Sequence, residues 1–284
     1  MERGEGALVT TPRHPFVRHL ALLSLCLALL VPLYILLLNA FKTRADIVAS
    51  PLSVPWSRLT TQNLTTALLS SDTSVLDSYR VSVTVTAFTV VGLIVFGGMM
   101  AYVIARQDKW VFRTFYFVII AGMMVPPQAV LIPVVQILNH IGLLFSVVGL
   151  VLYEIASTLP ITVFFYVGFI RHIPRELDYA AMIDGASPQA IYWRVIFPLL
   201  VPATAAIAVF LAIWTWNDFL TPLVILGPIG DHTITTNVYA AIGLQSVDYP
   251  KVYANLWLAC IPILAIYVFA QRFIVSGLTE GALR

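Results

Sequence analysis

The sequence predicts an all-α membrane protein with six transmembrane helices, both termini in the cytoplasm, and a cytoplasmic helix between spans 4 and 5. Three observations predict it. Of the 284 residues, 60% are hydrophobic and 11% charged, with a mean hydropathy of +0.90. A soluble domain carries about 25% charged residues, so water cannot be the only solvent of this chain. Six apolar runs, near 19–41, 82–105, 114–138, 146–170, 196–221 and 255–275, are long enough to cross about 30 Å of hydrocarbon. The lysines and arginines then fall unevenly between the two sides. The N-terminal tail, the loops after spans 2 and 4, and the C-terminal end hold Arg3, Arg13, Arg18, Arg106, Lys109, Arg113, Arg171, Arg175, Arg194, Arg272 and Arg284. The other side holds Lys42, Arg44, Arg58, Arg80 and Lys251, spread over longer loops. The positive-inside rule places the richer side in the cytoplasm.

The same composition argues against a soluble enzyme, a nucleic-acid binder and a disordered scaffold. A net charge of +2 is too small to imply a polyanionic partner. Residues 1–18 form a cytoplasmic tail and residues 19–284 a single transmembrane domain. Span 1 follows three arginines, as a signal peptide would. It exceeds 20 residues, whereas a signal core has about 7–15, so it reads as a retained span. Cys26 and Cys260 sit inside apolar stretches and read as lone thiols. The five histidines have no zinc-protease spacing, and no cofactor or metal site is expected in this chain.

Residues 42–80 and 222–254 form long external loops, the first rich in Ser, Thr and Pro without strong periodicity. Span 3 contains Pro126, Pro127 and Pro133, each removing a backbone donor and able to bend the helix. Broken backbone inside a bilayer faces protein or a water-filled cavity. Gln128 lies beside that break, roughly 10 Å from the outer face at 1.5 Å per residue, and Glu154 of span 4 lies at a similar depth. An acid near a helix centre costs about 2.5–3.5 kcal/mol on insertion scales. Gln128 and Glu154 are therefore candidates for a substrate pathway, with a structural interhelical hydrogen bond as the alternative. Trp214, Trp216, Asn217 and Asp218 lie near the outer end of span 5. The tryptophans suit an aromatic belt, and stacking on a sugar ring is the alternative. Glu154 and Asp218 could also serve as acid and base of an intramembrane enzyme, but their estimated depths differ.

The only long cytoplasmic loop, 171–195, carries the sharpest pattern. Pro174 suits a first helical position, and Glu176 and Asp178 a first turn, where the helix dipole favours acid. Gly185 suits the residue just past the end. A helix of about ten residues, roughly 15 Å long, is expected over 174–184. Its small apolar face is Leu177, Ala180 and Ala181. Ser187 then caps a second helix that begins at Pro188.

Residues 174–198 resemble the EAA loop of permease subunits in bacterial ATP-binding-cassette importers. That motif runs Glu-Ala-Ala, three residues, Gly, nine residues, Ile-x-Leu-Pro. This chain has Tyr179-Ala180-Ala181, Gly185 and Val195-Ile196-Phe197-Pro198 at that spacing, with Tyr179 in place of the acid and Glu176 or Asp178 one turn or less away. Ala101-Tyr102-Val103-Ile104-Ala105-Arg106 resembles the end of span 2 in sugar permeases. Ile183-Asp184-Gly185-Ala186, Trp216-Asn217-Asp218-Phe219, Phe41-Lys42-Thr43, and Gln271-Arg272-Phe273 with the segment Gly277 to Ala282 resemble them too. The likeness covers about residues 16–284 and is strongest to the second permease subunit of maltose-type importers.

The resemblance implies a multi-pass protein of the bacterial plasma membrane that forms half of a carbohydrate pathway. Its partners would be a second permease, two copies of an ATPase carrying the ATP and Mg, an extracytoplasmic sugar-binding protein, and membrane lipid. The EAA helix would dock in the ATPase through Glu176, Leu177, Asp178, Tyr179, Ala180, Ala181, Asp184 and Gly185. The external segment holding Gln245, Ser246, Asp248 and Tyr249 would dock the binding protein, with an ordinary connecting loop as the alternative. The chain has three lysines, none after a glycine, so the Gly-Lys-Ser/Thr of a P-loop is absent. Two alternatives remain: a non-sugar cargo such as polyamine or phosphate, and a proton-coupled secondary transporter using Glu154.

Overall fold

The computed structural model describes residues 15–69, 74–227, 230–242 and 247–282, with side chains of the last helix described through 268. The expected residues Gln245 and Ser246, most of the N-terminal tail, and the side chains of the C-terminal signature lie outside the described residues.

The described residues are helical, without a strand. In chain order the helices are α1 (Pro15–Ala40), α2 (Arg44–Ala49), α3 (Gln62–Leu69), α4 (Val75–Gly92), α5 (Gly98–Arg106), α6 (Trp110–Gly122), α7 (Leu131–His140) and α8 (Val147–Arg171). They continue with α9 (Glu176–Ile183), α10 (Pro188–Ile191), α11 (Phe197–Asn217), α12 (Leu220–Ile225), α13 (Ile234–Ala240) and α14 (Tyr249–Ala282). Five stretches are long and apolar enough to cross a membrane: Phe16–Ala40, Val75–Arg106, Val147–Arg171, Pro188–Asn217 and Tyr249–Val268.

The sixth expected span is not one rod. α6 and the segment Pro127–His140 meet at 93°. Each is too short to span alone at 1.5 Å per residue. Pro126 and Pro127 explain the break. Neither has an N–H to donate, and the residue before a proline is pushed out of the α region. The chain turns at Met123 and Met124, and Pro127–Val130 forms a tight 3₁₀ turn before α7. Pro133 sits in the first turn of α7, where a missing donor costs little.

Two other spans are longer than expected. α4 starts at Val75, where the Ser74 hydroxyl accepts from the Leu76 N–H, and runs through a π turn at Leu93–Gly97 into α5. α10 runs through a second π turn at Tyr192–Ile196 into α11. Gly98 lets these two segments approach. A Cβ there would stand 2.2 Å from the Tyr192 hydroxyl oxygen.

The main core joins α5, α8 and α11 through Tyr102, Val163, Tyr166, Ile170, Ile196, Leu200 and Leu211, with Tyr192 of the π turn. A second cluster joins α4, α7, α8 and α12 around Val85, Leu138, Leu150 and Ile225. A third holds Ala67, Val75, Trp216, Ile234, Ala254 and Leu258. α1 packs on α14 and leaves most of its leucines exposed.

The long loops are more ordered than their composition suggested. After α1, Lys42 is fully buried and its ammonium donates to the Ser50 and Pro51 carbonyls at 2.9 and 3.1 Å. The Asn63 amide donates to the carbonyls of Ala40 and Lys42, which ties α3 to the end of α1. Burial pulls the Lys42 ammonium below its ordinary 10.5, with Asp46 working against that shift. Between α4, α13 and α14 the Asn237 amide donates to the Ser78 hydroxyl at 2.7 Å, and the Asn255 amide donates to Asn237 at 2.7 Å. These polar side chains meet across helices, so their cohesion is invisible to hydropathy.

Candidate functional site

α9 is held by its inward face. Asp178 is buried, and its Oδ1 accepts from the Tyr102 hydroxyl at 2.7 Å. Its Oδ2 lies 2.8 Å from the Arg106 Nη2, an ion pair without hydrogen-bond alignment. Arg106 also donates from Nη1 to the Ile173 carbonyl at 3.0 Å. The last turn of α5 thus clasps both the loop before α9 and the helix itself. Ala181 and Ala186 pack against the main core from the same side. Arg175 precedes α9 and makes a bidentate pair with Asp108 at 2.7 and 2.8 Å. That guanidinium holds the Asp108 carboxyl below its ordinary 3.8, and Asp108 in turn raises Arg175.

The end of α9 is closed by its glycine. Gly185 has φ +81° and donates to the Met182 carbonyl, while Ala186 donates to the Ala181 carbonyl. This pair of bonds is a Schellman motif, which favours glycine because a Cβ is strained at positive φ. Among the described residues, its chain neighbours aside, no heavy atom lies within 4 Å of a Cβ built there, so the constraint is the backbone and not crowding. Ser187 then accepts from the Ala190 N–H, and Pro188 opens α10 as expected.

The structure sorts the expected docking residues into two groups. Asp178 and Ala181 face inward. Glu176, Leu177, Tyr179, Ala180, Asp184 and Gly185 are exposed. The helix is two residues shorter at its start than expected, since Arg175 is its N-cap and Pro174 stands before it. Ile183 is 87% exposed and Met182 50%, against 39% for Leu177. These two large apolar side chains make the prominent knob of the loop. Sequence reasoning overlooked them because the spacing of Leu177, Ala180 and Ala181 drew attention to the small residues. Their signal was present: two bulky apolar residues beside the helix stop of a short loop helix.

At the other end of the bundle, Glu154 and Asp218 come together. Glu154, 3% exposed in α8, lies close to the Asp218 carboxyl group that follows α11. The expectation that differing depths separate them is therefore corrected. Helix counting placed each along its own axis and ignored that α11 ends at Asn217 and that both α11 and the following α12 pack on α8. Asp218 Oδ1 accepts from the Thr221 N–H, and its carbonyl from the Thr235 hydroxyl at 2.7 Å. Next to Glu154, the Tyr153 hydroxyl donates to the Pro127 carbonyl at 3.2 Å, which docks the broken span on α8. Gln128 follows Pro127 and is exposed.

Trp214 is exposed, whereas Trp216 is 5% exposed and lies beside Tyr79 in the third core cluster. Trp216 therefore offers no free face for stacking in this conformation. Asn217 is exposed and its amide donates back to the Ile213 carbonyl. Asp248 and Tyr249 stand exposed at the start of α14.

Comparison with known proteins supplies the family. A family model described as "Binding-protein-dependent transport system inner membrane component" matches residues 93–279. The protein named "Probable starch degradation products transport system permease protein AmyC", from Thermoanaerobacterium thermosulfurigenes, is 32% identical over 273 residues, covering 93% of this chain and 96% of that protein. "Diacetylchitobiose uptake system permease protein NgcG", from Streptomyces coelicolor, is 31% identical over 277 residues, covering 96% and 90%. Among solved structures, a bacterial ABC transporter involved in the import of the acidic polysaccharide alginate has a chain with TM-score 0.73 at 22% identity. It covers 90% of this chain and 94% of that one, and shows a shared fold.

Proposed function

The chain belongs to the family of binding-protein-dependent transport system inner membrane components, and from that premise we propose that it is one permease subunit of an ATP-driven carbohydrate importer. It resides in the bacterial plasma membrane with both termini in the cytoplasm. It forms half of the substrate pathway beside a second permease. An extracytoplasmic sugar-binding protein delivers the cargo, with Asp248 and Tyr249 on the docking side. Two ATPase subunits, carrying ATP and Mg, bind from the cytoplasm. Ile183, Met182, Leu177 and Tyr179 enter the ATPase surface, and Glu176 supplies the exposed acid of the motif.

The observation that carries this reading is the two-sided construction of α9. One face presents bare apolar side chains, and the other is anchored to α5 through Asp178, Arg106 and Tyr102. A force on the exposed face is delivered to the span that ends at Arg106. Importers of this kind alternate between two states whose populations ATP shifts by differential affinity. A rigid inward anchor is what lets a docking helix bias such an equilibrium.

A pull-down from native membranes in mild detergent tests the reading. The wild-type chain brings down a second permease and a P-loop ATPase. Ile183→Asp releases the ATPase and keeps the permease. If neither partner is captured and uptake into vesicles proceeds without ATP, the importer reading fails. The proton-coupled alternative would then rest on the Glu154–Asp218 contact.

A further inference from the structure

The ends of α5 and α8, the loops that follow them and the start of α9 line a cleft of about 650 Å³, continued along α6 by a groove of about 390 Å³. Arg171 lines both, and Arg113 lines the groove. Their guanidinium groups lie over aromatic rings, Arg171 at 5.5 Å from the Tyr116 centroid and Arg113 at 5.9 Å from that of Phe117. Of the nearby carboxylates, Asp108 is engaged by Arg175 and Asp178 by Arg106, while Glu176 lines the cleft from the start of α9 with no ion pair among the described residues. Among the described residues, neither Arg113 nor Arg171 has a carboxylate within ion-pair distance.

A ring holds a guanidinium by its face and leaves the in-plane N–H donors free. Two such groups on facing helices match the spread oxygens of a phosphodiester. The groove is also where a lipid would be. No residue of α6 is buried, and Trp110, Phe117 and Val118 stand exposed along it. Tryptophan and arginine at the end of an apolar helix mark the headgroup level of a bilayer. A purely electrostatic excess of basic residues on this side would not require them to converge from α6 and α8 on stacked rings.

We propose that the groove between α6 and α8 binds the phosphate headgroup of an anionic phospholipid, with Arg113 and Arg171 as its donors. The site is separate from the α9 docking knob, and its lipid content can be read whatever cargo the protein carries.

The test titrates phosphatidylglycerol, phosphatidylcholine or inorganic phosphate into the full complex, stripped of lipid in detergent, with retained phospholipid counted by native mass spectrometry. Phosphatidylglycerol is expected to bind and phosphatidylcholine to wash out. The double variant Arg113→Gln with Arg171→Gln weakens phosphatidylglycerol binding about twenty-five-fold, at roughly fivefold per guanidinium near an anionic surface. The double variant Arg113→Lys with Arg171→Lys keeps the charge but loses the planar, ring-stacked fork, so it binds more weakly than wild type and more tightly than the Gln variant, which separates loss of the site from misfolding. Arg80→Gln, at the other end of the α4–α5 segment, changes nothing. Equal retention of phosphatidylcholine, or unchanged binding in the Gln variant, overturns the proposal. So does binding of free phosphate in preference to lipid. Release of a co-purifying ATPase by the Gln variant, with lipid retention intact, also overturns it and makes the cleft a protein contact.

Discussion

Replacing Asp178 by alanine would remove the inward anchor of α9 and leave the Arg106 guanidinium without its carboxylate. Asp178 and Arg106 are 5% and 11% exposed at their side chains, and their ion pair spans 2.8 Å. Removing one partner of a buried pair costs about 3–5 kcal/mol. The lower end applies, because Arg106 keeps the Ile173 carbonyl and its long stem can swing the head toward water. About 3 kcal/mol corresponds to a factor of roughly 150 in the fraction of α9 detached. Hydrogen–deuterium exchange of the α9 amides, measured on the complex in nanodiscs, would rise by up to that factor while exchange in α8 stays put. Removing both charges together, Asp178→Leu with Arg106→Met, would restore most of the protection, because no unpaired charge is left inside. Unchanged α9 exchange in Asp178→Ala would refute the anchor, as would a double variant as labile as the single one.

Gly185→Ala keeps all space around α9 but forces a Cβ into φ +81°, so it destabilises the loop end by about 1–2 kcal/mol; pull-down of the ATPase would weaken without loss of membrane expression. The Asp108–Arg175 pair gives a pH effect of definite sign: Asp108 is depressed when folded, so its contribution is present above pH 3.8 and is lost as the pH falls through the folded value. Exchange at the start of α9 should therefore rise on strong acidification in wild type and be less acid-sensitive in Asp108→Asn. Glu154→Gln keeps a polar neighbour for Asp218, whereas Glu154→Leu leaves that carboxyl group with only its contact to the Thr221 N–H. The Leu variant should lose about 1–3 kcal/mol in thermal unfolding relative to the Gln variant, and equal melting of the two would dismiss the contact. Lys42→Met strands the Ser50 carbonyl, leaves that of Pro51 to the Asn39 amide alone, and should loosen the α2 region, seen as faster proteolysis between residues 44 and 60.

Much of this protein was legible from local pattern. Long apolar runs define spans because an unpaired peptide group in hydrocarbon costs several kcal/mol, so only helices fit. Pro126 and Pro127 marked the break in span 3, since the missing donor and the clash with the preceding residue are properties of the residues themselves. Gly185, Ser187 and Pro188 marked the close of α9 and the opening of α10 for the same reason: caps are short-range chemistry. The EAA-like spacing of Ala180, Ala181, Gly185 and Pro198 then pointed to the family.

The partnerships between helices were decided only in three dimensions. Asp178 looked like a docking acid, but α5 brings Arg106 and Tyr102 to it from more than seventy residues away, and the carboxylate turns inward. Trp216 looked like a belt residue until α3, α13 and α14 closed around it. Glu154 and Asp218 looked separate because counting along each helix says nothing of how one axis crosses another. Sequence alone determined which segments cross the membrane, where span 3 breaks and where α9 closes, because backbone hydrogen bonding and turn geometry are settled within a few residues. Which face of a helix meets a partner, and which charge finds its counter-charge, was decided by the tertiary packing, because burial and pairing are properties of neighbours that the chain brings together only when folded.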